Sequence, residues 1–497
     1  MSYEENKTQK VGRPAGFRDF YPEEFAKINF VLGTMRQVSQ EFGYVEYETP
    51  AVEYRKLYEL KSGEGLISET FKVESRSGQK LVLIPELTPS LTRLLAERQQ
   101  YYTKPMRWFS IPKCYRDETL QRGRVKEFWQ YNADILGVAD IYADAEIIAV
   151  LTSVIQRVGL SKKQFVVLIN DRQFMQKFME ELGIKDFITV IQAFDKKAKV
   201  LQERIQNDLK KKLSEEEAKD VALIIRQSKK FDESIYKKIP KIKEITDIID
   251  NFDDYRKKAM IDSLQNIGLT KEQIVILYDL SEIKAPPKKF LQQAKKLYPG
   301  DNADEILANL TELAELLDGY GITDYVLFDG SLARGLDYYT GIIFEAWSRE
   351  GLIPRAIAGG GRYSDLVATM GGNPLNGTGF GFGETVLMEL MKDFKIPYPE
   401  QDICDVYIAP LKLDDLSEII DISSKLRENG LKVVLNSFNW KIRRHFENAE
   451  KQNVTWMIIV GNKDLAQNVV TLRNIVTGEQ EAIPIKKIAS VLKKRIK

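Results

Sequence analysis

Apolar residues near the amino terminus recur at intervals of three and four, the spacing of one helix face. This pattern predicts a helix over residues 22–42, which Gly43 ends. A strand over 44–49 and a hairpin over 71–84 are expected to follow. The strand-rich segments RWFSIPKCYRDE and VKEFWQYNADILG come next, separated by a polar loop at 119–124, and a helix is predicted over 146–158. The opening is therefore expected to be α+β.

The pattern changes between residues 171 and 320, where long charged runs and helical periodicity replace the strands. We interpret this stretch as a mainly helical insertion domain. Ser214 and Glu217 have the spacing of a capping box, and Pro286 with Pro287 marks a break between two helices. Strand-rich sequence returns after the insertion, so residues 1–170 and 321–398 are predicted to form one split domain.

The last hundred residues alternate between strand and helix patterns. Strands are predicted at 406–409, 433–435 and 456–460, and helices at 416–426 and 442–450. Such alternation is typical of an α/β domain with a mainly parallel sheet, predicted here over 401–497. The basic tail KKIASVLKKRIK closes the chain.

Composition then removes several classes of chemistry. The chain has 497 residues, with His445 as its one histidine and Cys114 and Cys404 as its two cysteines. No histidine cage or tetrahedral Cys/His cage for zinc can be built from this set, which leaves only carboxylate-rich ligation, and no metal-ligating residues are predicted. A serine triad would need His445. So few cysteines favour a reducing compartment, and a cytoplasmic location is expected.

Charge and hydropathy describe the surroundings of the protein. Lys and Arg number 73 against 72 Asp and Glu, a formal net charge of +1, so any contact with nucleic acid must be local. No uninterrupted apolar run approaches the roughly 20 residues that a membrane span requires, and the amino terminus lacks the apolar core of a signal peptide. A soluble protein with no membrane contact is expected.

The segment SLARGLDYYTGIIFEAW, residues 331–347, carries the most chemical information. An arginine beside glycine, followed by an acid and two phenols, offers a fork for anionic oxygens next to an aromatic wall. On the residues alone, an ordinary loop entering a half-buried strand is the alternative. ARGLDYYTG resembles the signature of the histidyl-tRNA synthetases. Other segments resemble that family in family order: PAGFRDFYPEE, EFGYVEYETP, LVLIPELTPSLTR, YRDETLQRGRVKEFWQYNADILG, AGGGRY, DVYIAP, MIIVGNKDL and TGEQ.

This resemblance implies the class II synthetase fold: an antiparallel-sheet catalytic domain, a helical insertion and a C-terminal α/β anticodon-binding domain. The combination of PELTPS with SLARGLDYYTG resembles the archaeal and eukaryotic members of the family. It places Arg116 and Arg334 at the α-phosphate of ATP as catalytic residues. The residues that it assigns to ATP are Arg116, Glu118, Arg124, Phe128 and Arg334. The residues that it assigns to L-histidine are Glu86, Leu87, Thr88, Gln130, Asp134, Tyr338 and Tyr339. Without the family context, Phe128 would more often be core, and Glu86 and Asp134 would more often be solvated strand ends.

The resemblance also implies two reaction steps: ATP and histidine give an adenylate and pyrophosphate, and a tRNA(His) terminal hydroxyl then takes the aminoacyl group. Mg²⁺ would carry the pyrophosphate oxygens. Arg122 and Arg124 are expected near the acceptor end of tRNA, and the basic tail near its anticodon arm. A solvated helix end is the alternative for the tail. Motif 1, ending at Pro50, implies a homodimer.

Two positions depart from the family pattern. The arginine that ends motif 3 is missing from GTGFGFGETVLMEL, where Thr385 or Val386 stands in its place, and Ile84 replaces a usual arginine. These losses leave open a second function, a non-catalytic paralogue that senses histidine or binds RNA, resembling the regulatory subunit of ATP phosphoribosyltransferase. A generic RNA-binding module would account for the last domain alone.

Overall fold

The computed structural model describes residues 12–59, 64–214, 217–218, 221, 252–333, 339–351, 353, 355–399, 404–411, 416–436 and 440–496. It divides the chain into two compact units, Met1–Pro397 and Tyr398–Lys497. No helix among the described residues combines the length and the apolar character that crossing a membrane requires.

The first unit is built on a ten-stranded sheet and a separate three-stranded sheet. Its strands are β1 (Val45–Glu46), β2 (Val52–Tyr54), β3 (Lys72–Glu74), β4 (Lys80–Leu83), β5 (Met106–Ser110), β6 (Lys113–Tyr115), β7 (Glu127–Leu136), β8 (Phe165–Asp171), β9 (Lys284–Ala285), β10 (Val326–Asp329), β11 (Ile342–Ser348), β12 (Ala358–Tyr363) and β13 (Gly377–Gly383). Its helices are α1 (Pro22–Glu41), α2 (Arg55–Glu59), α3 (Glu64–Ser68), α4 (Thr88–Arg98), α5 (Tyr142–Arg157), α6 (Arg172–Glu181), α7 (Phe187–Leu209), α8 (Phe252–Asn266), α9 (Lys271–Glu282), α10 (Pro287–Leu297), α11 (Ala303–Ile306), α12 (Ala308–Gly319) and α13 (Glu384–Asp393).

The large sheet is mostly antiparallel, as the class II pattern predicts. Its order is β1-β5-β7-β13-β12-β11-β8-β10-β9, with β6 paired to one end of β7. The pairs from β5 through β8 are all antiparallel, whereas β1 with β5 and β10 with β8 are parallel. Phe109, Tyr131 and Phe382 are completely buried around the centre of this sheet. Antiparallel strands with a buried aromatic centre therefore form the core of the first unit.

Most elements predicted for the opening are confirmed. α1 buries Ile28, Leu32 and Met35 on one face, and β3 and β4 form the expected hairpin. The strand predicted at 44–49 is wrong in length, because only Val45–Glu46 pairs with β5 before the chain runs on to Pro50, which has no N–H. α5 begins at Tyr142, four residues before the predicted start.

The predicted insertion, residues 171–320, is mostly helical where the structure describes it. Its domain boundaries stay a prediction, and β9 within it pairs antiparallel with β10 of the large sheet. The capping box is confirmed: the Ser214 N–H donates to Glu217 Oε2 at 3.0 Å, and the Glu217 N–H donates to Ser214 Oγ at 3.3 Å. Pro287 begins α10, so the break between two helices is confirmed as well.

The second unit is a five-stranded sheet with helices. Its elements are β14 (Val406–Leu411), α14 (Ser417–Glu428), β15 (Val433–Leu435), α15 (Ile442–Lys451), β16 (Trp456–Gly461), α16 (Asn462–Ala466), β17 (Val469–Asn474), β18 (Gln480–Pro484) and α17 (Ile488–Arg495). The first five predicted elements are confirmed. The expectation of a mainly parallel sheet is wrong, because β17 and β18, which the pattern analysis missed, add two antiparallel pairings to the two parallel ones.

Candidate active site

One cavity of about 1020 Å³ opens over the large sheet, walled by β7, β11, β12 and β13. Residues from distant parts of the sequence meet there because neighbouring antiparallel strands present their side chains to one face. The described residues that the resemblance assigned and that line the cavity are Glu86, Thr88, Arg116, Glu118, Arg124, Phe128, Gln130, Asp134 and Tyr339. The acidic and the basic candidates therefore share one space.

One assigned residue lies away from the cavity wall, and two others fall outside the described part of the chain. Leu87 is fully buried and packs with Leu57 and Val82 in the core beneath the cavity. Arg334 and Tyr338 lie outside the described residues. The cavity is lined by the described residues on either side of 334–338, namely Leu332, Ala333 and Tyr339.

Asp134 forms the acidic end of the cavity. Its Oδ1 accepts a 2.7 Å hydrogen bond from the Tyr363 hydroxyl, while Oδ2 is buried with no hydrogen-bond partner among the described residues. Burial raises the pKa of Asp134 to about 7, and the Tyr363 hydrogen bond acts in the opposite direction. A buried carboxylate oxygen without a partner at a cavity wall is suited to accept an N–H from a ligand.

Glycine at position 379 is a steric requirement of this acidic end. Gly379 is paired with Asp134 across β13 and β7, and a Cβ added to it would stand 1.9 Å from Asp134 Oδ1. Any larger residue would have to displace the carboxylate. The glycine-rich β13 therefore leaves the space that Asp134 and its neighbour Gln130, whose Nε2 donates to Asn132 Oδ1 at 2.8 Å, occupy.

The basic end is organised around Glu118, whose side chain is nearly buried. Arg116 Nη1 lies 3.7 Å from Glu118 Oε1, and Arg124 Nε contacts Glu118 Oε2. Arg116 Nε also donates to the Pro85 carbonyl at 2.9 Å, and its guanidinium lies 5.2 Å from the centre of the Phe128 ring. Two cations and an aromatic face are thus held together in the way that a nucleotide requires.

The polar loop predicted at 119–124 connects β6 and β7, and it is docked on α13. Arg122 Nε donates to Glu389 Oε2 at 3.0 Å, and its Nη2 contacts Asp393 Oδ1. An isolated antiparallel β-bridge between the backbones of Gln121 and Arg124 closes the loop. These contacts fix the backbone from which Arg124 reaches the cavity.

Motif 3 is held in place by Arg18, a residue that the sequence patterns do not single out. Glu384 at the start of α13 is completely buried, and Arg18 Nη2 contacts its Oε1 at 2.5 Å. The same Nη2 donates to the Glu127 carbonyl at 3.1 Å. Burial raises the pKa of Glu384, and Arg18 acts against this effect. Arg18 belongs to PAGFRDF. The amino-terminal motif therefore contacts both Glu384 of motif 3 and the backbone of β7.

Three other findings bear on the chemistry of the site. Cys114 is buried beside the cavity, and burial raises the pKa of its thiol to about 12, so it is not an activated nucleophile. Among the described residues, no group of three or more His, Cys, Asp or Glu side chains could hold a metal ion. Ile84 is fully buried in the core and contributes no charge to the cavity.

The antiparallel sheet with its cavity, the C-terminal unit and the matching family models define a class II aminoacyl-tRNA synthetase. The family model "Histidyl-tRNA synthetase" matches residues 16–284 and 243–385, and the model "Anticodon binding domain" matches residues 405–495. The chain belongs to the histidyl-tRNA synthetase family.

Relatives support the same assignment over the whole length. The histidine--tRNA ligase of Pyrococcus furiosus is 32% identical over 98% of this chain and 100% of that protein. The one from Thermococcus kodakarensis is 32% identical over 95% of this chain and 96% of its own length. The chloroplastic and mitochondrial ligase of Arabidopsis thaliana is 29% identical over 95% of this chain and 84% of its own. The matches therefore extend over both units of the chain.

Solved structures agree on the fold. A histidyl-tRNA synthetase from Nostoc sp. PCC 7120 superimposes with a TM-score of 0.71 at 23% identity, covering 98% of this chain and all of that one. A protein from Bacillus halodurans, described as an ATP phosphoribosyltransferase regulatory subunit/histidyl-tRNA synthetase, has a TM-score of 0.65 at 22% identity, covering 92% of this chain and 100% of that one. The second likeness concerns the fold alone and does not favour the regulatory alternative.

Proposed function

We propose that this protein ligates L-histidine to tRNA(His) with ATP through a histidyl-adenylate intermediate. The main support for the proposal is that one cavity of about 1020 Å³ contains both the carboxylates of Glu86 and Asp134 and the guanidinium groups of Arg116 and Arg124. Such a space can hold an amino acid at one end and a nucleotide at the other. Family membership and relatives that match nearly the whole chain point to the same reaction.

Histidine would bind at the acidic end. A neutral imidazole carries one N–H donor and one acceptor, and the imidazolium carries two donors. Asp134 Oδ2 and the carboxylate of Glu86, both on the cavity wall, are suited to accept these N–H groups. An amino acid without ring donors would leave Asp134 Oδ2 buried without a donor, which is the basis of selectivity. Thr88, Gln130 and Tyr339 complete this end. Leu87 and Tyr338 would contribute to histidine binding as the family resemblance implies.

Adenylation would depend on positioning and charge, without a protein nucleophile. The histidine carboxylate attacks the α-phosphorus of ATP, a P–O bond forms, and the bond to pyrophosphate breaks. Arg116 stabilises the negative charge that develops at phosphorus, and Arg334 has the same assigned role. Arg124 and Glu118 hold the nucleotide, and Phe128 offers its ring to the adenine. In the second step a tRNA hydroxyl attacks the carbonyl carbon, and AMP leaves.

Magnesium fits this site as a partner of the substrate rather than as a resident ion. Mg²⁺ is usually held by substrate phosphates with one or two carboxylates. Glu118, on the cavity wall, can supply one carboxylate, although Arg116 and Arg124 also contact it. When bound, the ion would neutralise pyrophosphate oxygens.

Assembly and location complete the proposal. The edge strand β1 and the neighbouring β2 carry exposed apolar side chains at Val45, Val52 and Tyr54, which fit a homodimer through motif 1. Cys114 and Cys404 are both buried and form no disulfide, which fits the reducing cytoplasm. Sedimentation at micromolar concentration should give twice the chain mass, and a stable monomer would contradict the dimer.

Histidine-dependent exchange between ATP and pyrophosphate tests the adenylation step. We expect exchange with the wild-type chain and a loss of at least about a hundredfold in Arg116→Ala and Arg334→Ala, because each removes a charge at the reacting phosphorus. Arg443→Ala is a matched control, since Arg443 is an exposed arginine of the second unit. Histidine binding without exchange in the wild type would contradict the proposal and favour the non-catalytic paralogue.

A further inference from the structure

A third guanidinium reaches the cavity from a segment to which no role has been assigned. Arg355 precedes β12, lines the cavity and is half-buried. Its Nη2 donates to Gln121 Oε1 at 3.0 Å, so its side chain extends to the loop that also carries Arg124. Arg355 therefore lies at the basic end of the cavity, beside the loop that carries Arg124.

The position of Arg355 relative to motif 3 follows from Gly123. A Cβ added to Gly123 would stand 3.3 Å from Val386 Cγ2 and 3.9 Å from Arg355 Cδ. The side chains of Val386 and Arg355 thus pass the same point of the loop. Thr385 and Val386 both line the cavity, and neither carries a charge. Arg355 places a positive charge beside the very position where motif 3 lacks one.

The charges at this end also call for a further cation. Arg116 and Arg124 share the carboxylate of Glu118, so the three groups together carry a net charge of about +1. The polyphosphate of a nucleotide carries several negative charges, and arginine binds phosphate oxygens through paired N–H donors. An arginine on a strand end beside the loop can meet the outer phosphates while Arg116 and Arg124 meet the inner part.

We infer that Arg355 is a nucleotide-binding residue that holds the outer phosphates of ATP and takes the position that the motif 3 helix leaves uncharged. This inference rests on the proposed adenylation. It explains how the cavity can bind ATP although Thr385 and Val386 are neutral. The hydrogen bond to Gln121 orients the guanidinium in the absence of nucleotide, and phosphate oxygens would take over its donors.

The test is steady-state pyrophosphate exchange with the full chain, varying ATP and histidine separately. Arg355→Ala should raise the KM for ATP by about tenfold or more, the loss of one charge-assisted phosphate contact, and change the KM for histidine less than about twofold. Arg355→Lys should lie between the two, because lysine keeps the charge without the fork. Arg443→Ala should match the wild type.

A second variant tests the position directly. Adding Val386→Arg to Arg355→Ala should recover most of the affinity for ATP, because the new arginine starts beside the same point of the loop, at Gly123, that the Arg355 side chain passes. Histidine binding by calorimetry shows that each variant is folded. A double variant no better than Arg355→Ala would overturn the placement beside Val386.

The remaining outcomes separate this inference from the proposed function. A wild-type chain without exchange would contradict the function itself. An active wild type whose KM for ATP is unchanged in Arg355→Ala, or whose KM values for ATP and histidine rise equally, would overturn the nucleotide role. A rise in the KM for tRNA during aminoacylation with an unchanged KM for ATP would assign Arg355 to RNA phosphates instead, and would overturn it as well.

Discussion

Asp134 shows how a single residue acquires a functional state from its surroundings. The β7 backbone places it opposite Gly379, the absence of a Cβ there gives its carboxylate room, and Tyr363 supplies one donor. Burial raises the pKa of Asp134 to about 7, so the carboxylate changes its charge within the physiological range. The acid that would recognise histidine is therefore sensitive to pH.

Histidine affinity should depend on this titration. Above pH 7 Asp134 is ionised and can accept an imidazole N–H, whereas below pH 7 it is increasingly protonated and loses that capacity. We expect the KM for histidine in pyrophosphate exchange to rise by up to about tenfold per pH unit on going below pH 7.

The Tyr363→Phe variant separates this effect from a general loss of structure. Without the hydroxyl, the group that lowers the pKa of Asp134 is gone, so the midpoint of the pH profile should move to higher pH. In Asp134→Asn the profile should lose this midpoint. A midpoint that stays in place in Tyr363→Phe would contradict the assigned role of Asp134.

At the scale of elements, the contact between the amino-terminal segment and α13 organises the site. Arg18 and Glu384 are 366 positions apart in the sequence, yet they form a largely buried ion pair that also reaches the β7 backbone. β7 carries Gln130 and Asp134, and α13 carries Thr385 and Val386. The pair thus connects the elements that form the two ends of the cavity.

Removing Arg18 should be destabilising, because it leaves Glu384 buried without its cation. We expect Arg18→Ala to lower the free energy of unfolding by about 3 kcal/mol in urea denaturation, within the range for breaking buried pairs. Arg13→Ala is the control in the same segment, since Arg13 and Asp19 are exposed and 3.9 Å apart, and it should change the stability by less than about 1 kcal/mol. Equal effects of the two variants would show that the buried pair has no special role.

Element by element, local patterns were informative and distant pairings were not. The α1 helix and the β3–β4 hairpin follow from periodicity and turn residues, which are properties of adjacent positions. β17 was missed because its alternation is short and ends in polar residues, and its pairing with β16 depends on a partner outside the segment. Arg355 has no local signal either, since only the folded sheet brings it beside Gly123.

At the scale of the whole molecule, the family motifs follow one another in order through both units. The acids and arginines of the candidate site were assigned by resemblance, and the fold brings those that it describes to one cavity. Their shared location could not be derived from composition. Composition excluded only zinc sites that need several histidine or cysteine ligands. His445, the one histidine of the chain, lies in the second unit, whereas the cavity is built from the first.

His445 should matter for stability and not for adenylation. Its Nδ1 lies 3.1 Å from the Tyr407 hydroxyl oxygen. That oxygen already accepts hydrogen bonds from the side chains of Asn436 and Asn448, so the hydroxyl donates its own proton to Nδ1 of a neutral imidazole. Burial lowers the pKa of His445, so the unfolded chain takes up the proton first and stability falls as the pH drops below about 6.5.

We therefore expect His445→Gln to leave pyrophosphate exchange unchanged within about twofold. In thermal unfolding, the variant should lose less stability than the wild type between pH 7 and pH 5.5, because it removes one group that titrates. A large loss of exchange in a folded His445→Gln variant would contradict the separation of adenylation from the second unit.

The central claim is that this chain attaches histidine to tRNA. The most direct measurement is the formation of labelled histidyl-tRNA by the purified full chain with ATP, Mg²⁺ and tRNA(His). The account predicts charging that requires ATP, is specific for histidine over the other amino acids, and is strongly reduced in Arg116→Ala. Absence of charging by a folded chain that binds histidine and ATP would contradict it.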